Sequence, residues 1–228
     1  MVLQKHIPNL LTLLNLFCGI AGIVQAMNAN LENAAYLMWI AAIFDFLDGF
    51  AARMLKLSSP IGKELDSLAD MVTFGVLPSL IIYQMAMPLI SGPWLFLSFS
   101  IALFSALRLA KFNTDSRQTD QFIGLPTPAC AFFVSALPFI AKENLMGIGE
   151  MLNGFVLIGI SLILSILLVV EIPLFSLKFK DFKWENNSIR FIFVALSLIL
   201  LVLLDIAAIP VIVVLYIVLS LINLKTSK

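Results

Sequence analysis

Predominantly apolar stretches follow one another along this chain with only short polar breaks between them, over residues 7–27, 34–54, 65–87, 94–112, 126–141, 152–172, 189–204 and 209–224. Most approach the ~20 residues that an α-helix needs to cross the hydrocarbon core of a bilayer. No water reaches the backbone in that core, so each stretch must close its own hydrogen bonds as a helix. Apolar residues make up 61% of the chain and charged residues 12%, with a mean hydropathy of +1.05; a soluble domain is about 45–50% apolar. The expected fold is all-α and integral to a membrane, with about eight transmembrane helices in one polytopic domain over residues 1–228. The last two stretches are short and parted only around Asp205 and Pro210. They read as a C-terminal hairpin over about 189–224, or as one broken helix.

This span order sorts the 14 Lys and Arg residues between two sides, and all of them except Lys142 fall on the same one. Cytoplasmic loops carry an excess of Lys and Arg, so both termini and the connections on that side are expected in the cytoplasm, with the helices in the cell membrane. A net charge of zero gives no sign of a nucleic-acid partner. The stretch that follows Lys5 and His6 is too long for a cleavable signal peptide, and Pro8, Asn9 and Asn15 interrupt it; it is read as the first span. Cys18 and Cys130 lie far apart in apolar runs and fit neither a disulfide framework nor a zinc site. Lys178, Lys180 and Lys183, beside Phe179, Phe182 and Trp184, read as an interfacial anchor on membrane lipid.

Against this apolar background, acidic residues inside the helices stand out. Asp45 and Asp48 lie three apart near the end of the second stretch, and Asp66 and Asp70 lie four apart at the start of the third, so each pair shares one helical face. An aspartate at a bilayer centre costs on the order of 2.5–3.5 kcal/mol, and such residues face polar cavities and mark function. Gly49 and Ala52 continue the first acidic face, and Gly62 precedes Asp66 by one turn. Small residues there leave room for a bulky ligand. Four carboxylates converging from two helices repel one another unless cations neutralise them. Hard oxygen ligands suit Mg²⁺, Mn²⁺ or Ca²⁺, and two such ions could clamp a diphosphate for in-line displacement.

The run Asp45-x-x-Asp48-Gly49-x-x-Ala52-Arg53, eight intervening residues, then Gly62-x-x-x-Asp66-x-x-x-Asp70 resembles the signature of the CDP-alcohol phosphatidyltransferases. The resemblance implies a six-helix catalytic core, here within about residues 1–175, that is usually dimeric and opens to the cytoplasmic leaflet. It implies a dinuclear metal centre held by Asp45, Asp48, Asp66 and Asp70, with Asp70 also in the position of the general base. The chemistry expected is attack by an acceptor hydroxyl on the phosphorus that bears the lipid, with CMP leaving. Gly49 and Ala52 would give space to the nucleotide, Gly62 would line the same CDP-lipid site, and Arg53 would meet a phosphate.

Three further stretches resemble the membrane-bound phosphatidylserine synthases of bacteria and archaea: 7–19, with its Pro8-Asn9 and Thr12; 108–113, Arg108-Leu-Ala-Lys111-Phe-Asn113; and 122–128. The expected donor is CDP-diacylglycerol and the expected acceptor L-serine. Asn9 and Thr12 belong to a polar stripe, with Asn15, that serves either as interhelical glue or as a nucleotide contact. Arg108, helped by Lys111 and Asn113, is expected to meet the acceptor carboxylate or a phosphate, since an arginine fork suits either. Rival readings are another acceptor, such as glycerol 3-phosphate or inositol, an archaeal ether-lipid donor, a transporter, or a lipid-binding scaffold.

Overall fold

The computed structural model describes residues 6–57, 59–114, 121–176 and 183–226. Lys5, Arg117, Lys178, Lys180 and Lys228 of the charge pattern, with Phe179 and Phe182 of the lipid anchor, lie outside the described residues. The protein is an all-α membrane protein. Among the described residues, the eight expected stretches correspond to eight helical rods, whose ends differ from expectation where local chemistry overrides hydropathy.

The first rod, α1, runs Ile7–Met27 with Pro8 in its opening turn, where a missing N–H costs nothing. The second, α2, runs Leu31–Met54. The third begins five residues earlier than hydropathy suggests, as α3, Pro60–Asp70: the Ser59 hydroxyl accepts from Gly62 N at 3.1 Å and Pro60 fills the first turn, a strong start signal. It continues through a wide π turn, Met71–Val76, into α4, Leu77–Ala86. There the Leu77 amide bonds to the Val72 carbonyl five residues back. Pro78 follows at once, and in an α-helix its ring would meet the carbonyl of Phe74; the wider turn relieves that clash.

A short 3₁₀ segment, Pro93–Phe99, leads into α5, Ser100–Thr114. Then come α6, Thr127–Glu143, and α7, Gly154–Val169. The last of these stops three residues short of expectation because the chain becomes extended. Residues Pro173–Phe175 (β2) pair antiparallel with Gln121–Ile123 (β1), with Phe122 opposite Leu174. This two-stranded ribbon is a small exception to the all-α expectation. The C-terminal helices α8, Trp184–Leu204, and α9, Ala208–Thr226, are joined by a short turn in which Asp205 has φ +49°. The rings of Phe193 and Tyr216, nearly equidistant from that turn, lie 5.7 Å apart, so the arms fold back on each other as a hairpin rather than continuing as one broken helix.

Five segments among the described residues are long and apolar enough to span a membrane: Ile7–Met27, Leu31–Met54, Pro60–Ala86, Pro93–Thr114 and Asn187–Leu224, the last containing both hairpin arms. At 17 and 16 residues, α6 and α7 are shorter. Most of α6 is buried, and Phe193, Val213 and Tyr216 of the hairpin belong to the same apolar cluster as Val134, Phe74 and Leu77. Cys18 and Cys130 are free and buried.

Polar contacts between rods fix their positions where the apolar effect is weak. Trp39 Nε1 donates to Ser135 Oγ at 2.8 Å, holding α2 on α6. Ser165 donates to Ser100 at 2.8 Å between α7 and α5. Gly22 brings α1 against α4, since a Cβ there would stand 2.6 Å from Leu77 Cδ2. The rods therefore have two distinct ends. One gathers the α2–α3 connection, the end of α5, the ribbon and Ser220 of α9, whose hydroxyl accepts from Phe175 N. The other gathers Glu32 and Lys142, paired at 2.7 Å.

Candidate metal centre and substrate cavity

The α2–α3 connection turns the chain sharply, with Lys56 at φ +54°, and this brings the end of α2 beside α3. Carboxylate oxygens of Asp45, Asp48 and Asp66 all lie within 4.8 Å of one another. The Asp45 carboxyl is also within hydrogen-bonding reach of Asp70. Asp70, one turn beyond Asp66, thus adjoins the trio through Asp45. An all-oxygen, all-carboxylate set at this spacing fits a hard divalent cation, and binding one would relieve the mutual repulsion of the acids.

Helix α1 supplies the next layer. Thr12 donates to Asp48 Oδ2 at 2.7 Å, and Asn15 Nδ2 donates to Asp70 Oδ1 at 3.3 Å. The polar stripe therefore touches the acidic cluster directly. Sequence reading gave Asn15 no specific partner, although its three-residue spacing from Thr12 on an otherwise apolar helix was the signal available.

Beside the acids opens a cavity of about 580 Å³, within the size range of small-molecule sites. Asn9, Thr12, Gly49, Ala52 and Gly62 line it, together with Asp48, Asp66 and Lys63. Those five are the residues expected to hold the CDP-lipid, apart from Arg53. Arg53 is exposed and folds back along α2, where a Cβ on Gly49 would come within 3.3 Å of its Nη1. A side chain at Gly49 would press on this exposed arginine and intrude on the cavity that Gly49 lines.

The three residues expected at the acceptor do not converge. Arg108 is buried at 6% exposure, donates from Nη1 to Thr127 Oγ1 at 3.0 Å, and lies over the Phe112 ring at 5.8 Å. Its Nε finds no partner among the described residues, and Asp70 is within electrostatic reach. Lys111 is exposed. Asn113 donates its side-chain amide to Ser67 Oγ at 2.8 Å, while its carbonyl accepts from Lys63 Nζ at 2.8 Å, so it links α5 to α3. Thr127 falls in the stretch 122–128 and Lys63 follows Gly62 of the acidic run, but neither they nor Ser67 carried an expected partner in the sequence.

Comparison with known proteins extends this geometry. The model of the CDP-alcohol phosphatidyltransferase family matches residues 5–174. The chain is 35% identical over 146 residues to a Bacillus subtilis protein named CDP-diacylglycerol–serine O-phosphatidyltransferase, covering 64% of this chain and 82% of that one. A Helicobacter pylori protein of the same name is 34% identical over 194 residues, 84% of this chain and 80% of that one. The archaetidylserine synthase of Methanothermobacter thermautotrophicus is 32% identical over 165 residues, 69% of this chain and 66% of that one. Because the family match takes in the four aspartates, the α1 layer behind them and the cavity they border, the chain belongs to the CDP-alcohol phosphatidyltransferase family.

Proposed function

We propose that the protein transfers the phosphatidyl group of CDP-diacylglycerol to the hydroxyl of L-serine, forming phosphatidylserine and releasing CMP. The observation that carries the reading is the convergence of Asp45, Asp48 and Asp66 beside a cavity, with Asp70 adjoining them. The names of the Bacillus and Helicobacter relatives support serine as acceptor.

The four aspartates would hold two divalent ions, Mg²⁺ or Mn²⁺ and less readily Ca²⁺, which when bound draw negative charge from the diphosphate. Asn9, Thr12, Gly49, Ala52 and Gly62 bound the space for the nucleotide, and Arg53 lies at hand for a phosphate. Asp70 takes the proton of the serine hydroxyl as its oxygen forms a bond to the lipid-bearing phosphorus. The bond from that phosphorus to the CMP oxygen breaks, and CMP leaves. Arg108 meets the serine carboxylate, its buried unpartnered Nε being a strong reason to expect an anion there. Lys111, exposed at the same end of α5, contributes positive charge to the approach. The end of the bundle carrying the site faces the cytoplasm with both termini, in keeping with the Lys and Arg distribution, and the protein works as a homodimer among membrane lipids.

The test supplies the purified protein with CDP-diacylglycerol and, in separate reactions, L-serine, glycerol 3-phosphate or inositol, and identifies the lipid by mass. Phosphatidylserine with stoichiometric CMP is expected. Another lipid product would move the acceptor, and no CMP with any alcohol would remove the enzymatic reading. The archaeal relative gives one alternative a specific basis, and an ether-linked CDP-lipid in the same assay decides it.

A further inference from the structure

Helix α1 carries no carboxylate, yet it contacts two of the four acids. A hydroxyl has one hydrogen to give. At Thr12 the competing acceptors are the Pro8 carbonyl at 3.1 Å and Asp48 Oδ2 at 2.7 Å, and the shorter, charge-assisted contact wins. Asn15 is completely buried, and its orientation is not arbitrary: turning the amide over would set its carbonyl oxygen against the Asp70 carboxylate. The backbone behind these side chains is also fixed. Thr73 Oγ1 donates to the Asn15 carbonyl at 3.3 Å, and Gly19, one turn on, packs so closely on Thr73 that a Cβ would collide with it. Thr12 and Asn15 thus reach from one closely packed helix to acids on two others, Asp48 on α2 and Asp70 on α3.

We propose that Thr12 and Asn15 are positioning residues that aim Asp48 and Asp70 at the divalent metal, so that α1 sets the affinity of a site to which it gives no ligand. A donor held on one carboxylate oxygen stops the group rotating and leaves the other oxygen directed outward. Loss of such a partner behind a ligand typically weakens metal binding 10–100-fold. The inference rests on the metal reading of the four aspartates and is independent of which alcohol is the acceptor.

The experiment titrates Mn²⁺ into the full chain in detergent micelles without substrate, following the free ion by electron paramagnetic resonance. Thr12→Val keeps the shape and removes the hydroxyl, Thr12→Ser keeps the hydroxyl, and Asn15→Leu removes the amide at nearly constant volume. Thr12→Val and Asn15→Leu are expected to raise the Kd for Mn²⁺ about 10–100-fold, and Thr12→Ser to stay within about threefold of the parent. An unchanged Kd in a helical, monodisperse Thr12→Val protein overturns the proposal while the metal reading stands. A parent that binds no Mn²⁺ removes the metal reading and the proposal with it. Should Asn15→Leu fail to fold, the Thr12 pair decides alone, because a packing role would not separate valine from serine in this direction.

Discussion

Asn113 at the end of α5 donates its side-chain amide to the Ser67 hydroxyl on α3 at 2.8 Å, and Ser67 in turn donates to the Lys63 carbonyl at 3.2 Å. Lys63 Nζ closes the ring on the Asn113 carbonyl at 2.8 Å. The helix bearing Arg108 is thereby latched to the helix bearing Asp66 and Asp70. A net hydrogen bond is worth about 0.5–1.5 kcal/mol, so Asn113→Ala and Ser67→Ala should each lower stability in detergent by that order. The double variant should lose clearly less than the sum of the two. Strictly additive losses in a double-mutant cycle would mean that the pair contributes nothing as a pair.

On the proposed reading, turnover depends on the divalent ion. Chelation should abolish CMP release and re-addition of Mg²⁺ or Mn²⁺ should restore it. Asp45→Asn, Asp48→Asn and Asp66→Asn should each lower activity by about 10²-fold or more, since a metal contributes several kcal/mol at a reacting phosphoryl group and 1.4 kcal/mol is a factor of ten. Full turnover in excess chelator would sink the assignment.

Asp70 is expected to act as base beside the metal cluster. General-base assistance is worth 10²–10⁴ in rate, so Asp70→Asn should lose roughly that factor in kcat while the protein still inserts and purifies as the parent does. Near-normal turnover would move the base elsewhere.

Arg108→Ala should reduce kcat/KM for serine by ~30-fold or more, because truncating one side of a buried charged contact costs about 2–5 kcal/mol. Affinity for the CDP-lipid should change far less. Lys111→Ala, at an exposed position on the same helix, should alter kcat/KM only a few-fold. Equal effects of the two substitutions would leave Arg108 without a specific contact to the acceptor.

The acidic constellation was legible in the sequence because intramembrane aspartates are costly and their three- and four-residue spacings fix a face. Helix existence was equally legible from hydropathy, and α1 begins and ends where its apolar run does. The start of α3 was less so: Lys63 and Glu64 lower the hydropathy of a turn that Ser59 and Pro60 initiate through local hydrogen bonding and a fixed φ. The ribbon between 121–123 and 173–175 joins segments some fifty residues apart, and no local pattern encodes that pairing. For the same reason, Asn113 reads as one more polar residue near Arg108 until the fold sets Ser67 opposite it. Arg108 and Lys111 lie one turn apart on one helix, yet only neighbouring helices decide which of them is buried.

The wide turn Met71–Val76 separates Asp70 from the apolar half of its rod. It acts as a phase shifter. A turn closed five residues back holds about one residue more than an α-turn, and an α-helix advances about 100° per residue, so deleting one residue from α4 just beyond the turn, with the turn kept, would rotate Asp66 and Asp70 by about that angle relative to the rest of α4. Hydropathy, charge count and every spanning segment would survive such a deletion almost untouched, and the carboxylates would face the wrong neighbours. The site therefore depends on a length as much as on a chemistry, and single-residue insertions or deletions in this rod are far less interchangeable than substitutions along its apolar faces.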